Sequence, residues 1–347
     1  MKTALVCAVQ APFVTGGAEI LVGELKENLE RHGYRVEVVE IPFRGVPVDA
    51  IVRQALVWRL LEVHEANGVP VDLVIPTKFP SYLVRHPRKV AWLFHQHREA
   101  YDLYGTPWSL LRDDPADRQV REAISTLDTA ALSECRAVFT ISKNVSARLF
   151  RYNQVPSTPL YPPPHLLGRY RCDAYGDYLF YAGRLEPIKR LELALQSLAR
   201  TTSRARFLIA GSGSAEKDLR KLTERLELED RVRFLGFVPA DELVDLYAGC
   251  RAAYYGPVDE DYGYVTVESF LSRKPVLTTT DAGGPLEFVS DEENGLVVAP
   301  EPDAVAAAID RLFAWPESRL RALGEEGHRR VRDITWDHVI DRLTEPS

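Results

Sequence analysis

Two glutamates stand eight positions apart in the stretch E-D-Y-G-Y-V-T-V-E, residues 260–268. On one helix this spacing would leave Glu260 and Glu268 on roughly the same face but about 12 Å apart, because each residue adds about 1.5 Å of rise. That separation is too large for two carboxylates to share a proton. The pair therefore needs a chemical interpretation other than a proton-sharing dyad.

The elements expected around the two acids supply that interpretation. The apolar residues 252–256 predict a strand and residues 265–271 a helix, so Glu260 falls in the loop and Glu268 about one turn inside the helix. Carboxylates accept hydrogen bonds from sugar hydroxyls, and free amides at a helix start suit phosphate oxygens. The spacing is typical of a holder for a nucleotide sugar. The amides expected between the two acids are those of Tyr262, Gly263, Tyr264 and Val265.

Two cations stand together in A-G-R-L-E-P-I-K-R, residues 182–190, where a predicted strand gives way to a helix. Positive side chains at a helix start run against the helix dipole, so a negative group is expected near Arg184 and Lys189. An ion pair with Glu186, or a solvated cation, is one interpretation. A diphosphate held by both cations explains their position better.

Glycine pairs mark three further strand-to-helix turns. Gly16–Gly17 lies in P-F-V-T-G-G-A-E, residues 12–19, and similar turns occur at 211–213 and at Gly283–Gly284. Glycine lets a backbone approach a ligand closely, and the amides of a helix start favour an anion such as pyrophosphate. Steric need alone also explains such glycines, and it is the favoured explanation at 211–213.

The elements that must position these residues alternate between strand and helix. In the first half, apolar runs predict strands and an i, i+3, i+4, i+7 pattern from Ala18 to Leu29 predicts a helix that Gly33 ends. A second helix is expected near 50–67. This order argues for a parallel sheet wound by helices. The strands are expected at 3–9, 35–41, 72–76, 90–95 and 137–142.

Three consecutive prolines, residues 162–164, interrupt the alternation and predict an interdomain linker. We expect a first domain over 1–163 and a second over 164–334. Two doubly wound, Rossmann-like α/β domains would face one another across a cleft between the carboxyl ends of their strands. The second half predicts strands at 178–182, 206–210, 232–237, 252–256, 275–279 and 295–299, with helices from about 189, 215, 240 and 265.

Composition bounds the class of protein. A chain of 347 residues with 46% apolar and 27% charged residues is globular and fits two domains. Without a long apolar segment or a signal-peptide pattern, we expect it in the cytoplasm. Four scattered cysteines without zinc-ligand spacing are expected to be buried, reduced thiols.

Charge argues against a nucleic-acid partner. Residues 1–165 carry 19 Lys and Arg against 18 Asp and Glu, and the rest carries 24 against 32. A nucleic-acid-binding domain would show a concentrated basic face. The compact basic cluster R-H-P-R-K at 85–89 is expected to be a solvated loop. Weak peripheral contact with anionic lipid at the inner face of the membrane, or contact with a phosphorylated acceptor, is the alternative.

Taken together, these motifs resemble the retaining glycosyltransferases of family 4, which adopt the GT-B fold. The resemblance lies in the glycine pairs, the two cations and the E-x7-E arrangement, in that order along the chain. It extends to F-L-G-F-V at 234–238 and to Trp336, where the family's last helix, here 335–347, crosses back to the first domain.

The resemblance implies roles for individual residues. Lys189 and Arg184 would neutralise the diphosphate as the bond to the sugar breaks. Glu268 would accept hydrogen bonds from the ribose hydroxyls, and Glu260 would hold the donor sugar. The remaining donor contacts implied are Gly16 and Gly17 from the opposite domain, the backbone of residues 262–265, and Phe237.

The first domain is expected to supply the acceptor side. The segment F-H-Q-H-R, residues 94–98, follows an apolar strand, and the resemblance places there a histidine that touches the donor sugar. His95 is preferred over His97, although strand alternation would point both the same way. Tyr101 and Asp102 are acceptor candidates by position alone.

The implied reaction moves a hexosyl group from a UDP- or GDP-linked donor to an acceptor hydroxyl, with retention at the anomeric carbon. The acceptor would be a saccharide, a lipid-linked molecule or a small molecule, in the synthesis of cell-surface polysaccharide or glycoconjugate. The resemblance implies no cofactor and no metal. The D-x-D pattern at 259–261 belongs to transferases of a different fold.

Other functions remain open. A nucleotide-sugar 2-epimerase shares the two-domain architecture and would use carboxylates for proton transfer. A glycosidase would pair two carboxylates across a scissile bond, but it has no use for the two cations. A non-catalytic partner subunit or sensor would bind the donor without turnover. A dinucleotide oxidoreductase is disfavoured, because Gly16–Gly17 lacks the G-x-G-x-x-G spacing.

Overall fold

The computed structural model describes residues 1–10 and 16–345 in two compact units. Unit 1 comprises Met1–His165 and Ile334–Ser347, and unit 2 comprises Leu166–Asp333. Within the described ranges, no helix combines the length and the apolar character needed to cross a bilayer.

Unit 1 is built on parallel strands. Its strands form the orders β2-β1-β5 and β6-β7-β8, with a parallel bridge between Val74 and Lys89 at the junction of the two sets. The short strands β3 and β4 form a separate antiparallel hairpin. The strands are β1 (Lys2–Gln10), β2 (Tyr34–Pro42), β3 (Glu65–Ala66), β4 (Val69–Pro70), β5 (Leu73–Pro76), β6 (Val90–Leu93), β7 (Ala137–Thr140) and β8 (Thr158–Pro159).

Residues 16–165 of unit 1 form four α-helices, two of which begin where a polar side chain satisfies free amides. Asp114 accepts hydrogen bonds from two amides of the first turn of one helix, and Ser142 accepts one at the next. Between them these helices cover the strands with apolar faces. They are α1 (Gly17–Arg31), α2 (Ile51–Arg59), α3 (Pro115–Ser133) and α4 (Lys143–Asn153).

Unit 2 is a six-stranded parallel sheet in the order β11-β10-β9-β12-β13-β14. This is the doubly wound order, in which the chain proceeds outward in both directions from two central strands. Its strands are β9 (Tyr178–Ala182), β10 (Arg206–Ala210), β11 (Val232–Gly236), β12 (Ala252–Tyr254), β13 (Val276–Thr279) and β14 (Gly295–Val298). Its helices are α5 (Leu191–Leu198), α6 (Glu216–Arg225), α7 (Ala240–Gly249), α8 (Tyr264–Leu271), α9 (Pro302–Ala314) and α10 (Glu317–Val331).

A last helix, α11 (Trp336–Thr344), belongs to unit 1. Thr335 caps it by accepting a hydrogen bond from the His338 amide. The Trp336 ring meets that of Trp92 on β6 edge to face, with centroids 6.0 Å apart. Burial of two large aromatic rings holds this helix to the unit 1 sheet.

A helix is expected near 50–67, but α2 ends at Arg59, so the prediction is wrong for the residues beyond Arg59. The chain instead makes the β3–β4 hairpin around Asn67 and Gly68, both with positive φ, at 51° and 79°. An Asn-Gly pair favours such a two-residue turn, and this local preference overrides the helical pattern. The strand expected at 90–95 likewise ends early, at Leu93.

The four cysteines all lie among the described residues and are free thiols, as predicted, but Cys135 and Cys172 are only partly buried. Cys7 and Cys250 are fully buried. Burial raises the pKa of each of these two thiols to about 12. Because the thiolate is the reactive form, neither residue suits nucleophilic chemistry.

The basic cluster at 85–89 is a loop, as expected, but only part of it is solvated: Arg85, Pro87 and Arg88 are exposed, whereas His86 and Lys89 are buried. Lys89 is completely buried, and its ammonium donates to the carbonyls of Tyr82, Val84 and Ala131 at 2.8–3.0 Å. Arg88 pairs with Asp72 at 2.7 Å. These contacts hold the segment in place within unit 1 and remove the charge of Lys89 from solvent.

Candidate functional site

The candidate site of unit 2 lies where the strand order reverses. Strands β9 and β12 are neighbours, with Ala253 opposite Phe180, and the chain leaves both at the same edge of the sheet. In doubly wound sheets, ligands bind outside the carboxyl ends of the strands at such a switch point. The loop after β9 carries Lys189, and the loop after β12 carries Glu260.

Lys189 meets Glu260 directly. The ammonium forms an ion pair and hydrogen bond with Oε2 of the carboxylate, and the Tyr255 hydroxyl donates to the same oxygen at 2.8 Å. The Lys189 ammonium also lies 3.5 Å from the Tyr255 hydroxyl. Lys189 ends a short 3-10 turn, Pro187–Lys189, rather than standing in the first turn of α5 as expected.

The environment keeps Glu260 ionised. Burial alone would raise the pKa of this carboxyl, but the charge of Lys189 and the hydrogen bonds from Lys189 and Tyr255 outweigh it and lower the pKa below its ordinary value. The side chains of Lys189 and Glu260 are only 14% and 16% exposed. A largely buried cation and anion are thus held together at the edge where a ligand is expected.

The backbone of Glu260 is fixed by the loop after β13. The Glu260 amide donates to the Ala282 carbonyl at 2.8 Å, and the Gly284 amide donates to the Glu260 carbonyl at 2.7 Å. A Cβ on Gly284 would lie 2.7 Å from the Asp261 carbonyl oxygen. The pair Gly283–Gly284 therefore has a steric reason, which is the close approach of two backbone segments.

Gly263 turns the chain into α8, which begins at Tyr264. Its φ is 88°, and a Cβ there would lie 2.6 Å from Cε1 of Tyr255. Glycine is needed for both reasons. The turn brings the start of α8, with Tyr264 and Val265, beside the tyrosine that contacts Glu260.

Glu268 stands one turn inside α8, where a tyrosine contacts its carboxylate. The buried Tyr247 hydroxyl donates to Glu268 Oε2 at 2.8 Å. Burial, together with the charge of Glu268, raises the pKa of both Tyr247 and Tyr170. Burial and then the charge of Glu260 raise the pKa of Tyr255, to which Glu268 also adds. The charges of Glu260 and Glu268 therefore both raise the pKa of the same tyrosine, Tyr255.

Arg184 does not pair with Glu186, which was one of the interpretations of the sequence. Glu186 accepts a hydrogen bond from the Ser214 hydroxyl instead. The Arg184 side chain is exposed, and within residues 1–10 and 16–345 it has neither an ion pair nor a hydrogen bond. It is available to an anion at the exit of β9.

Two further predicted positions lie at strand exits of unit 2. Phe237 follows the end of β11 and is 88% exposed, which is unusual for so large an apolar side chain. A Cβ on Gly213 would lie 2.5 Å from the Leu185 carbonyl oxygen, and one on Gly211 would lie 2.0 Å from that of Gly183. The 211–213 turn thus has the steric reason favoured from the sequence.

The carboxyl edge of unit 1 carries a second polar group. The Gly16 amide donates to Glu19 Oε2 at 2.9 Å, Gly17 opens α1, and the other Glu19 oxygen pairs with Lys78 at 3.1 Å. Residues 12–15 of the predicted glycine turn lie outside the described residues. Sequence reasoning missed Lys78, although a lysine two residues after the strand β5 was a usable signal.

The two histidines after β6 have different surroundings. The ring of His97 packs between those of Phe43 and Phe79, at 6.0 and 5.3 Å, and its Nε2 is buried without a hydrogen-bond partner among the described residues. Burial, with a smaller effect of His95, lowers the pKa of His97 to about 4. His95 donates from Nδ1 to the Gln96 carbonyl at 2.8 Å. Since β6 ends at Leu93, strand alternation does not orient the pair.

Tyr101 and Asp102 are engaged inside unit 1. The Tyr101 hydroxyl donates to the buried Asp128 at 2.7 Å. Asp102 accepts a hydrogen bond from Arg98 at 2.9 Å and pairs with Arg148 at 3.2 Å. These contacts give both residues a structural task, and position alone no longer marks them as acceptor contacts.

The D-x-D pattern at 259–261 surrounds a carboxylate that already contacts Lys189. In the part of the chain that the structure describes, no three His, Cys, Asp or Glu side chains are grouped so as to hold a metal ion. Sequence reasoning did not identify Tyr255, Tyr247 or Tyr170. Their signal, tyrosines in apolar runs, is indistinguishable from that of core residues.

The known proteins to which this chain is similar are glycosyltransferases. Residues 174–330 match the family model described as glycosyl transferases group 1. An uncharacterized glycosyltransferase of Methanocaldococcus jannaschii is 25% identical over 383 residues, covering 98% of this chain and 96% of that protein. The chain also matches D-inositol 3-phosphate glycosyltransferases but spans less than half of their length. These matches support a group 1 glycosyltransferase.

Solved structures share the fold. Sucrose-phosphate synthase from Thermosynechococcus elongatus has a TM-score of 0.81 at 19% identity, covering 99% of this chain and 97% of that chain. HepE from Anabaena in complex with UDP-glucose has a TM-score of 0.70 at 16% identity, covering 99% and 98%. At such identities the likeness shows the fold alone. That fold is GT-B, an α/β architecture of two Rossmann-like domains, as the sequence predicts.

Proposed function

We propose that this chain transfers a hexosyl group from a UDP- or GDP-linked donor to an acceptor hydroxyl with retention of anomeric configuration. The similarity to group 1 glycosyltransferases supports the transferase class. One solved structure of this fold is described with UDP-glucose bound, which favours a nucleotide-sugar donor here.

One observation carries the proposal: Lys189, Tyr255 and Glu260 converge at the switch point of the unit 2 sheet. A glycoside of a nucleoside diphosphate carries negative charge beside a polyhydroxyl ring. A cation next to a hydrogen-bond-accepting carboxylate complements that combination. The guanidinium of Arg184, which is exposed at the exit of β9 and has no partner among the described residues, adds a second positive charge for the diphosphate.

In the proposed reaction, the bond between the anomeric carbon and the diphosphate oxygen breaks while the acceptor oxygen bonds to that carbon from the same face. The acceptor proton passes to the departing phosphate oxygen, so that charge and protons balance. Lys189 and Arg184 stabilise the negative charge that develops on the leaving diphosphate. Glu260 accepts hydrogen bonds from the sugar hydroxyls, and Glu268 from those of the ribose.

The other expected donor contacts remain predictions. Phe237 is exposed at the end of β11, where it offers a flat apolar surface to a base. Gly16, Gly17 and His95 lie at strand exits of unit 1. We assign the acceptor, a saccharide or another hydroxyl-bearing molecule, to unit 1. The proposed reaction uses neither a metal nor a cofactor.

The proposal is tested by screening nucleoside diphosphates and their sugar conjugates for thermal stabilisation, and then assaying transfer with the conjugates that bind. A ligand that binds the folded state raises its melting temperature. We expect one UDP- or GDP-linked hexose to stabilise the protein and to release its nucleoside diphosphate only when an acceptor is present. Proton NMR of the new linkage should show the anomeric configuration of the donor.

Other outcomes would identify other functions. Conversion of the nucleotide sugar without an acceptor would favour an epimerase. Binding without turnover over a broad set of acceptors would favour a non-catalytic partner subunit. Hydrolysis of oligosaccharides in the absence of nucleotide would favour a glycosidase and contradict the proposal.

A further inference from the structure

Arg190, the residue after Lys189, connects three strand exits of unit 2. Its Nε donates to the Gly256 carbonyl at 3.0 Å, and one Nη donates to the Pro257 carbonyl at 3.1 Å. That same Nη donates to the Thr279 hydroxyl at 2.8 Å. One side chain from the loop after β9 is therefore bonded to the segments that follow β12 and β13.

The fourth partner makes the connection rigid. Both Nη atoms of Arg190 bond to the Asp281 carboxylate at 2.7 Å, in the two-pronged geometry that arginine makes with carboxylates. Burial would raise the pKa of Asp281, but the hydrogen bonds from Arg190 and Thr279 lower it below its ordinary value. The Arg190 side chain is 16% exposed. It is thus committed to these internal partners.

The backbone at Arg190 is strained. Its φ and ψ are 56° and 39°, in the left-handed region that residues other than glycine seldom adopt. Such a conformation persists only where the surrounding structure determines it strongly, and it often occurs at functional sites. At Arg190, the hydrogen bonds of the side chain hold the backbone in this conformation.

The clamped segments are the ones that place Glu260. Tyr255, whose hydroxyl donates to Glu260, directly precedes Gly256. Asp281 directly precedes Ala282, whose carbonyl accepts the hydrogen bond of the Glu260 amide. Arg190 itself is covalently joined to Lys189. A single side chain thus fixes the supports of the carboxylate relative to the residue that carries the ammonium.

We infer that Arg190 is a positioning residue that sets the contact between Lys189 and Glu260, and that it acts through Asp281 and the backbone of Gly256 and Pro257. The inference rests on the proposed function for its catalytic consequence, but the geometric claim stands independently of it. Arg190 contributes no group to the donor in this account. Its role is to hold the loop that carries the cation and the loop that carries the acceptor carboxylate in a fixed relation when the ligand binds.

Arg190→Lys tests the inference, because lysine keeps the charge and loses the planar fork. Arg231→Lys is the matched control. Arg231 also bonds several partners within unit 2, including the Ala205 carbonyl at 2.9 Å and the Thr201 hydroxyl at 2.7 Å, but it lies just before β11, at the amino edge of the sheet. Both changes replace a partly buried guanidinium that has several hydrogen-bond partners, and only the first lies at the candidate site.

Two readouts are compared, one with catalysis and one without it. We expect Arg190→Lys to lower kcat by about 10- to 100-fold, since small misplacements of reacting groups have effects of this size. The Kd for the nucleoside diphosphate should change far less, and Arg231→Lys should change neither quantity. In the second readout, the pKa of Glu260 is followed by carbon-detected NMR and assigned with Glu260→Gln. It should rise in Arg190→Lys and stay in place in Arg231→Lys.

The outcomes separate the inference from the proposed function. If the wild type transfers no sugar, the proposed function fails and the Glu260 titration still tests the clamp. If the pKa of Glu260 is the same in Arg190→Lys as in the wild type, the inference is overturned. It is also overturned if both lysine variants lower melting temperature and kcat to the same extent, because the effect would then be one of general stability.

Discussion

The ammonium of Lys189 and the carboxylate of Glu260 form an ion pair across 71 positions of the chain, with the Tyr255 hydroxyl on the same carboxylate oxygen. Both side chains are mostly removed from solvent. Breaking such a pair by removing one partner leaves an uncompensated charge, which is costly. A donor that replaces this pairing must therefore satisfy both groups at once. A diphosphate next to a sugar hydroxyl does so.

Glu260→Gln should separate nucleotide binding from sugar binding. The substitution frees Lys189 for a phosphate, so we expect the Kd for UDP or GDP to stay the same or to fall. The additional affinity for the sugar conjugate should be lost, and transfer should fall by about 100-fold or more, as when a group that contacts the reacting part is removed. Calorimetric titration with the nucleotide and its hexose conjugate measures the first two effects. Glu186→Gln, which changes a carboxylate bonded to Ser214, is the control.

Tyr247→Phe should weaken recognition of the ribose. It removes the hydroxyl that donates to Glu268 at 2.8 Å, and a hydrogen bond to a charged group contributes about 1.5–3 kcal/mol. We expect the preference for the ribonucleotide over its 2′,3′-dideoxy analogue to shrink, while the affinity for the analogue itself is preserved. The control is Tyr254→Phe, since Tyr254 is equally buried and its hydroxyl has no partner among the described residues. An unchanged preference in Tyr247→Phe would remove Glu268 from the ribose.

Gly263→Ala should destabilise unit 2 by more than its backbone conformation alone would require. The left-handed conformation of a non-glycine residue costs about 1–2 kcal/mol, and an added Cβ would lie 2.6 Å from Tyr255 Cε1. Gly236→Ala isolates the conformational part, because Gly236 has a φ of 67° and open space around it. Overpacking should make Gly263→Ala worse by at least about 1 kcal/mol. If Gly263→Ala and Gly236→Ala have equal free energies of unfolding in urea, the Tyr255 ring moves aside without a loss of stability.

The sequence predicts a structural feature well when residues close together in the chain determine that feature. Buried parallel strands read as continuous apolar runs, and the predicted strands 178–182 and 206–210 coincide with β9 and β10. The α/β fold class, which was predicted from such runs alternating with helical patterns, is confirmed. The hairpin at 65–70 was missed because two residues, Asn67 and Gly68, decide it against a longer helical pattern.

The candidate site was less accessible because its contacts are set by strand order. Local spacing marked Lys189 and Glu260 separately, and their direct contact follows from the adjacency of β9 and β12. Local charge left an ion pair between Glu186 and a cation open as the alternative to a bound diphosphate, but the partner of Glu186 is Ser214. Arg190 was passed over because its partners lie 66 to 91 positions away.

His97 should titrate far below an ordinary histidine. Because burial lowers its pKa to about 4, the unfolded chain binds a proton here before the folded protein does. The stability that His97 contributes is therefore complete above the ordinary pKa of 6.5 and is lost as pH falls toward 4. NMR titration of the histidine rings measures this, and His97→Phe identifies the signal while keeping an aromatic ring between Phe43 and Phe79. A midpoint near 6.5 would contradict the buried environment.

The most direct test of the account is the affinity of UDP and GDP for Lys189→Met, measured by calorimetry against the wild type. Lys217→Met, at an exposed lysine of α6, controls for the loss of one positive charge. The double variant Lys189→Met with Glu260→Gln controls for the carboxylate left without its partner. If Lys189 holds the diphosphate, both variants that lack it should bind the preferred nucleotide about 10- to 100-fold more weakly, and Lys217→Met should bind it normally. Equal affinities in the wild type and in Lys189→Met would contradict the central claim.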